Sequence, residues 1–190
     1  MIRAFAGSVL LVAALSCTST APTITSASSG GSAPLSLQGS RIAVLPFSGA
    51  PDRPETGRAA RDIAVSILVQ RYAVKLVSPS KVDAYLKEKS ITPSEFDLEP
   101  LTALAATLEA DILVWGQVDQ FTPYHFDRMA PATPPYVELT LFALPSRASG
   151  VKKVGGHKQG ALPATIWSRQ PTFQDVAQPL IAELISGLAR

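Results

Sequence analysis

The chain has 190 residues, of which 17 are Lys or Arg and 15 are Asp or Glu, so its formal net charge at pH 7 is +2. This near-neutral balance argues against a nucleic-acid-binding protein, and the length suits one domain of ordinary size. With one cysteine, the chain has no internal disulfide framework.

The first 16 residues have the layout of a bacterial secretion signal. Arg3 is their one charge, and the run from Ala4 to Leu15 is small or apolar throughout. This run is too short for a stable spanning helix, which needs roughly 20 apolar residues. The sequence therefore predicts that residues 1–16 are a signal peptide.

The stretch Ala14-Leu15-Ser16-Cys17 resembles the lipobox of bacterial lipoproteins, although its first two residues are swapped relative to the commonest form. The resemblance implies cleavage after Ser16, a diacylglycerol on the Cys17 thiol and acylation of the new amino terminus. Thr18, in place of the Asp that signals inner-membrane retention, implies the outer membrane. The alternative is a free cysteine in a signal peptide that is cut elsewhere. We expect a lipid-anchored domain that faces the periplasm, with no cofactor besides the covalent lipid.

Residues 17–40 are rich in Ser, Thr, Ala, Gly and Pro and almost free of bulky apolar side chains. Such a composition buries too little surface to offset the entropy lost on ordering. The sequence therefore predicts a flexible tether over 17–40 and a single periplasmic domain over 41–190.

The domain begins with alternating strand and helix patterns. RIAVLPF (Arg41–Phe47) is a continuous apolar run typical of a buried strand, and Arg58–Tyr72 has helical periodicity with one apolar face. A short strand is predicted around Val74–Leu76. A helix is predicted to begin at Ser80, which caps it together with Asp83, and to end near Lys89.

A second group of elements follows. Pro100 is suited to the first turn of a helix, ILVWGQVD (Ile112–Asp119) predicts another buried strand, and the alternation from Val137 to Ala143 predicts a half-buried one. Residues 151–159 are predicted to return as a strand after a turn at Ser149-Gly150.

The last helix is predicted over Thr172–Arg190, with Thr172 and Asp175 as a capping pair and Pro179 as a kink or as the true start. The order is β-α-β-α-α-β-β-β-α. We expect a three-layer α/β fold with a mixed sheet and flanking helices.

These residues carry a family resemblance. The opening IAVLPF strand, together with Ala110-Asp111 before an apolar strand that ends in Gly116, is similar to the α/β domain of CsgG, LpoB-type activators and the amino-terminal domain of TolB. The resemblance implies this fold and an envelope role. The chain leaves no length for additional membrane-spanning hairpins, so we do not expect a pore.

Enzymatic signals are weak. His125 and His157 lie in a loop and a hairpin, with Asp127 near the first, and no spacing suggests a metal site. The chain has no nucleophile elbow, phosphate loop or dinucleotide fingerprint. We expect a protein that is not an enzyme and binds no metal.

Two segments could bind a partner. Tyr124, Phe126 and Met129 lie in a proline-rich loop, and Trp167 precedes the last helix as an interface or core residue. No acidic residue lies between Leu139 and Gln174, a window that contains several cations. This basic segment suits an acidic partner, lipid headgroups or cell-wall polymer, and ordinary edge lysines are the alternative. Its candidate binding residues are Arg147, Lys152, Lys153 and Lys158.

The sequence thus predicts an outer-membrane lipoprotein that acts as a non-enzymatic subunit or regulator of an envelope assembly or secretion machine through protein contacts. Two alternatives remain: a self-associating, ring-like scaffold, and a module that binds glycan or a small ligand. No nucleic acid is expected as a partner.

Overall fold

The computed structural model describes residues 23–28, 35–91, 98–127, 130–146, 150–163 and 169–190. These residues form a six-stranded mixed sheet with helices on both faces, together with a separate two-stranded hairpin. In chain order the elements are β1 (Thr23–Ser28), β2 (Arg41–Val44), α1 (Glu55–Tyr72), β3 (Lys75–Leu76), α2 (Pro79–Glu88), α3 (Leu98–Thr107), β4 (Ile112–Thr122), β5 (His125–Asp127), β6 (Ala130–Thr133), β7 (Tyr136–Pro145), β8 (Lys152–Gln159) and α4 (Phe173–Leu188).

The strands of the main sheet lie in the order β1-β8-β7-β4-β2-β3. β2 runs parallel to both β3 and β4, whereas β4, β7, β8 and β1 pair antiparallel. The predicted α/β class is confirmed, and the predicted order holds from β2 onward except that a β5–β6 hairpin lies between β4 and β7.

One face of the sheet packs against α1 and α4 and holds the larger core; we call it the covered face. Its apolar residues come from alternate strand positions and from one side of each helix. Four of its fully buried side chains are Ile42, Leu139, Leu180 and Leu184. None of the four described helices combines the length and apolar character needed to cross a bilayer.

A smaller core lies on the opposite side, where α2 and α3 pack on β2 and β4. Leu45, Leu104 and Leu113 are fully buried there. The side chains that β7 and β8 direct to this side stay mostly half-buried or exposed, so the second helix layer covers only part of the sheet.

The residues behind the family resemblance have structural roles. The Asp111 carboxylate accepts a hydrogen bond of 2.8 Å from the Arg41 backbone N–H, which ties the starts of β4 and β2 together. A Cβ at Gly116 would lie 2.7 Å from the ring of Phe47. Glycine at this position therefore leaves room for the Phe47 ring to pack against β4.

The structure corrects the predicted tether over the part of 17–40 that it describes. Thr23–Ser28 forms an edge strand, and Leu35 and Leu37 are buried in the larger core. An edge strand is held by backbone hydrogen bonds and needs few bulky side chains. A Cβ at Gly156 would lie 2.8 Å from the Thr23 carbonyl oxygen, so the small partner residue allows β1 to approach.

Three details at element ends also differ from prediction. α2 begins at Pro79 after Ser78 rather than at Ser80, because proline suits the first helical position. The predicted Thr172–Asp175 capping pair of α4 is confirmed, and the difference is that the helix begins at Phe173 and continues through Pro179 instead of starting there. The loop predicted over 124–135 contains the short β5–β6 hairpin.

Candidate binding surfaces

The three described lysines of the predicted basic segment do not share a surface. Successive residues of β8 point to opposite faces. Lys152 is buried on the covered face, where its Nζ donates a hydrogen bond of 2.8 Å to the Leu188 carbonyl oxygen at the end of α4. Lys153 lies exposed on the other side, and the half-buried Lys158 shares the Lys152 side. Arg147 lies outside the described residues.

Lys152 therefore has a structural role at the end of α4. A cation near a helix C-terminus stabilises the unpaired carbonyl groups there. The prediction that Lys152 contacts a partner is replaced by this structural role, and the remaining described lysines form no single basic patch.

The main candidate surface is the part of the sheet that α2 and α3 leave uncovered. We call it the open face: the side of β7 and β8 opposite α4, with the adjoining positions of β4. Its described side chains include the buried Trp115 together with the half-buried or exposed Gln117, Asp119, Gln120, Tyr136, Glu138, Thr140, Phe142, Lys153 and His157.

Aromatic rings form one half of the open face. Trp115 and Phe142 stack with centroids 5.4 Å apart and an interplanar angle of 12°. The Lys153 Nζ lies 5.5 Å from the centre of the Phe142 ring, within range of a cation–π contact. Trp115 is buried in the smaller core, so the half-buried ring of Phe142 and the exposed Lys153 are what this half presents to solvent. Aromatic and cationic side chains together are common at protein interfaces.

Polar groups form the other half. The Thr140 hydroxyl donates a hydrogen bond of 2.8 Å to the Asp119 carboxylate. Burial raises the pKa of Asp119, the bond from Thr140 opposes this shift, and the charge of Glu138 adds to it. Asp119 lies within an irregularity in the register of β4 with β7, between Val118 and Gln120, so its placement depends on the bulge as well as on strand alternation.

Tyr136, Glu138 and His157 continue this polar half. The Tyr136 hydroxyl donates a bond of 3.2 Å to the Glu138 carboxylate, and its ring lies 5.8 Å from that of His157. Burial, with help from the neighbouring Glu138, raises the pKa of Tyr136. The open face therefore presents both donors and acceptors around its aromatic half.

A second surface lies at the end of the sheet where β4 ends and β7 begins. Phe126, on the β5–β6 hairpin, is 47% exposed beside an exposed His125, while Tyr124 is half-buried. Leu162, just after β8, is 51% exposed. Met129, predicted in the same loop, and Trp167, predicted before the last helix as an interface or core residue, lie outside the described residues.

Phe173 belongs to the packing rather than to a free surface. Its ring meets that of Phe121 edge to face, with centroids 5.1 Å apart. This contact joins the start of α4 to the end of β4.

Catalysis in the described part of the chain would require a metal-binding cluster or a nucleophile and base pair in a groove. No group of three or more His, Cys, Asp or Glu side chains converges there as a metal would require. A groove of about 300 Å³ between α1 and α4 is lined mainly by small and polar residues that include Asp62, Ser66, Gln174 and Gln178. None of these residues forms a nucleophile and base pair.

Sequence reasoning missed most of the open face. The alternation from Val137 to Ala143 predicts a half-buried strand but gives no binding role to the side that carries Glu138 and Thr140. The signal that could have found it is Phe142, an aromatic residue at a position that alternation assigns to the polar side.

Comparison with known proteins places this fold among solved structures. The chain aligns with the PelC dodecamer from Paraburkholderia phytofirmans at a TM-score of 0.58 and 21% identity, over 89% of this chain and 98% of that one. It aligns with the lipoprotein GNA1162 from Neisseria meningitidis at a TM-score of 0.50 and 12% identity, over 78% and 94%. At these identities the likeness is one of fold.

The expected lipoprotein-like α/β fold is thus supported by GNA1162. The C-terminal domain of LpoB from Escherichia coli aligns at a TM-score of 0.44, which is too weak to establish a shared fold. The resemblance to CsgG stays a prediction. No protein-family model matches the chain, and no curated protein matches its sequence.

Proposed function

We propose that this protein is a non-enzymatic lipoprotein of the outer membrane that assembles with copies of itself into a ring and serves as a subunit of an envelope assembly or secretion machine. The observation that carries the proposal is the alignment with a PelC dodecamer over nearly the whole of both chains. That alignment supports the ring-like alternative of the sequence analysis over a solitary regulator.

The surface chemistry is compatible with such an assembly. In a closed ring each subunit contacts its neighbours through two different surfaces. The open face provides one surface of suitable composition, where the half-buried ring of Phe142, stacked on the buried Trp115, lies beside Lys153 and a polar border. Aromatic centres with polar rims are typical of interfaces.

The anchor is supported by two independent observations. Cys17 follows a secretion signal within a lipobox-like sequence. A lipoprotein, GNA1162, has the same fold. A lipid on every subunit would hold a ring at the membrane by many anchors at once, which multiplies its residence time.

The first test is the mass in solution of the chain from residue 18 onward, which carries no thiol. We expect native mass spectrometry to show one defined multiple of the subunit mass, as a closed ring requires. A monomer across the micromolar range would contradict the ring.

A charge reversal tests the role of the open face. Lys153→Glu places an acidic group beside the ring of Phe142, and we expect smaller assemblies with little change in melting temperature. Lys87→Glu, at an exposed position of α2, is the matched control and should assemble normally. Equal assembly of both variants would exclude the Lys153 region from the interface.

In-cell crosslinking of the intact protein, with Cys17→Ala as the control, then identifies the machine. A second protein captured only when Cys17 is present would support a tethered subunit. Recovery of self-crosslinked protein alone would contradict the part of the proposal that concerns an envelope machine.

A further inference from the structure

The amino-terminal strand determines which end of the domain lies nearest Cys17. β1 begins at Thr23, opposite His157, and Thr23 follows Cys17 by six residues. Six residues reach at most about 21 Å when fully extended. β4 has 11 residues and is therefore about 36 Å long, so the opposite end of the sheet lies well beyond that reach from Thr23.

The same end carries exposed apolar side chains. β5 follows the end of β4, and Leu162 follows the end of β8, so both lie at the Thr23 end of the sheet. Phe126 and Leu162 are 47% and 51% exposed. Single exposed apolar residues are ordinary, but two of them at the end where the anchored chain enters suit contact with an apolar medium.

Charge at this end does not favour an electrostatic contact. The loop between β2 and α1 contributes Asp52 and Arg53, and α1 begins with Glu55, so both signs are present. A contact made here depends on apolar burial, and we expect it to resist salt.

We propose that the end of the domain that contains Thr23, Phe126 and Leu162 rests on the phospholipid bilayer, with the side chains of Phe126 and Leu162 inserted at its interface. The inference rests on the proposed lipid anchor. The anchor makes this second contact intramolecular, so two apolar side chains are sufficient where they would not bind a membrane alone. The strands then stand on the membrane and the open face points sideways, toward a neighbouring subunit.

Tryptophan fluorescence tests this placement without depending on lipidation in the cell. The chain from Cys17 onward is coupled through its single thiol to a maleimide phospholipid in vesicles of phosphatidylethanolamine and phosphatidylglycerol. Phe126→Trp and Leu162→Trp each add a reporter at the proposed contact. Val69→Trp is the matched control, since Val69 is 47% exposed near the far end of α1.

With brominated lipids in the vesicles, we expect at least twofold stronger quenching of the added fluorescence at 126 and 162 than at 69, unchanged in high salt. Equal quenching at all three positions would overturn the bilayer contact. The anchor itself is tested separately: membrane flotation of the protein from cells should be lost in Cys17→Ala. If Cys17→Ala floats with the membranes as the intact protein does, the lipid anchor is overturned, whatever the vesicles show.

Discussion

The two faces of the sheet are built differently. The covered face is closed by α1 and α4 along most of its width, and its core residues come from four strands and two helices that are distant in sequence. On the opposite side α2 and α3 pack on β2 and β4, while β7 and β8 keep aromatic and charged side chains at the surface. This difference indicates that most of the stabilising burial is on the covered face, so the open face is available to contact another protein.

The largest effect should come from the covered face. Leu180 is fully buried and packs over Gly156. Leu180→Ala should lower the free energy of unfolding by about 2–5 kcal/mol, measured by denaturant titration, because it leaves a cavity between α4 and the sheet.

Leu104→Ala in α3 is the comparison, since Leu104 is equally buried in the smaller core. α3 has only 10 residues and can shift to fill the space, so we expect a loss near the lower end, about 2 kcal/mol. A larger loss for Leu104→Ala than for Leu180→Ala would reverse the proposed division between the faces.

Adjacent lysines on β8 sharpen the comparison. Lys152→Met removes the bond to the Leu188 carbonyl and should cost about 1–2 kcal/mol of stability, because a charged donor at a helix C-terminus is lost. Lys153→Met, one residue along on the open face, should cost less than about 1 kcal/mol, the value of an exposed cation–π contact. Thermal unfolding of both variants checks this, and equal losses would show that Lys152 has no capping role.

The pH dependence of stability should differ between the two faces, because each carries a carboxylate with a shifted pKa. Asp175 caps α4, and its pKa is lowered by the Thr172 backbone N–H, the Thr172 hydroxyl and Arg169. Its contribution to stability is present above the ordinary pKa of 3.8 and is lost as the pH falls through the lowered value. Asp175→Ala should cost about 1 kcal/mol at neutral pH. Chemical unfolding below pH 3.8 should show a smaller difference, and an unchanged one would exclude the cap.

Asp119 on the open face should change stability with pH in the opposite direction to Asp175. Its substitution should have the smallest effect on stability among these substitutions. Burial raises its pKa, so its ionisation lowers stability as the pH rises above 3.8. Asp119→Asn keeps an acceptor for Thr140 and should slightly raise the melting temperature at neutral pH. Below pH 3.8 the variant and the parent should melt alike. A lower melting temperature of the variant at neutral pH would mean that the charged form is stabilising.

Local sequence was sufficient for the elements with strong periodicity. The amphipathic pattern of α1 and the apolar run of β4 each follow from neighbours a few residues apart. β1 could not be predicted in this way, because TITSAS becomes a strand only by pairing with Gly155 and Gly156, which lie more than a hundred residues later. Tertiary pairing decides the state of such a short polar segment.

The candidate surfaces were predictable only in part. Alternation along β8 places Lys152 and Lys153 on opposite faces, but which face is covered depends on where α4 packs. Phe126 was predicted as a candidate partner-binding residue, and its side chain is 47% exposed. The pairing of Asp119 with Thr140 depends on an irregularity in the β4–β7 register, which no local pattern reveals.

The pairing of β1 with β8 has a mechanical consequence. A pull on the chain ahead of Thr23 acts along the axis of β1, so it loads the ladder of six paired residues in shear rather than opening them one by one. Ladders loaded in shear share the force among their hydrogen bonds and yield together. The edge strand is thus suited to transmit tension from the amino terminus into the sheet, and Gly156, by admitting β1 so closely, is part of that coupling.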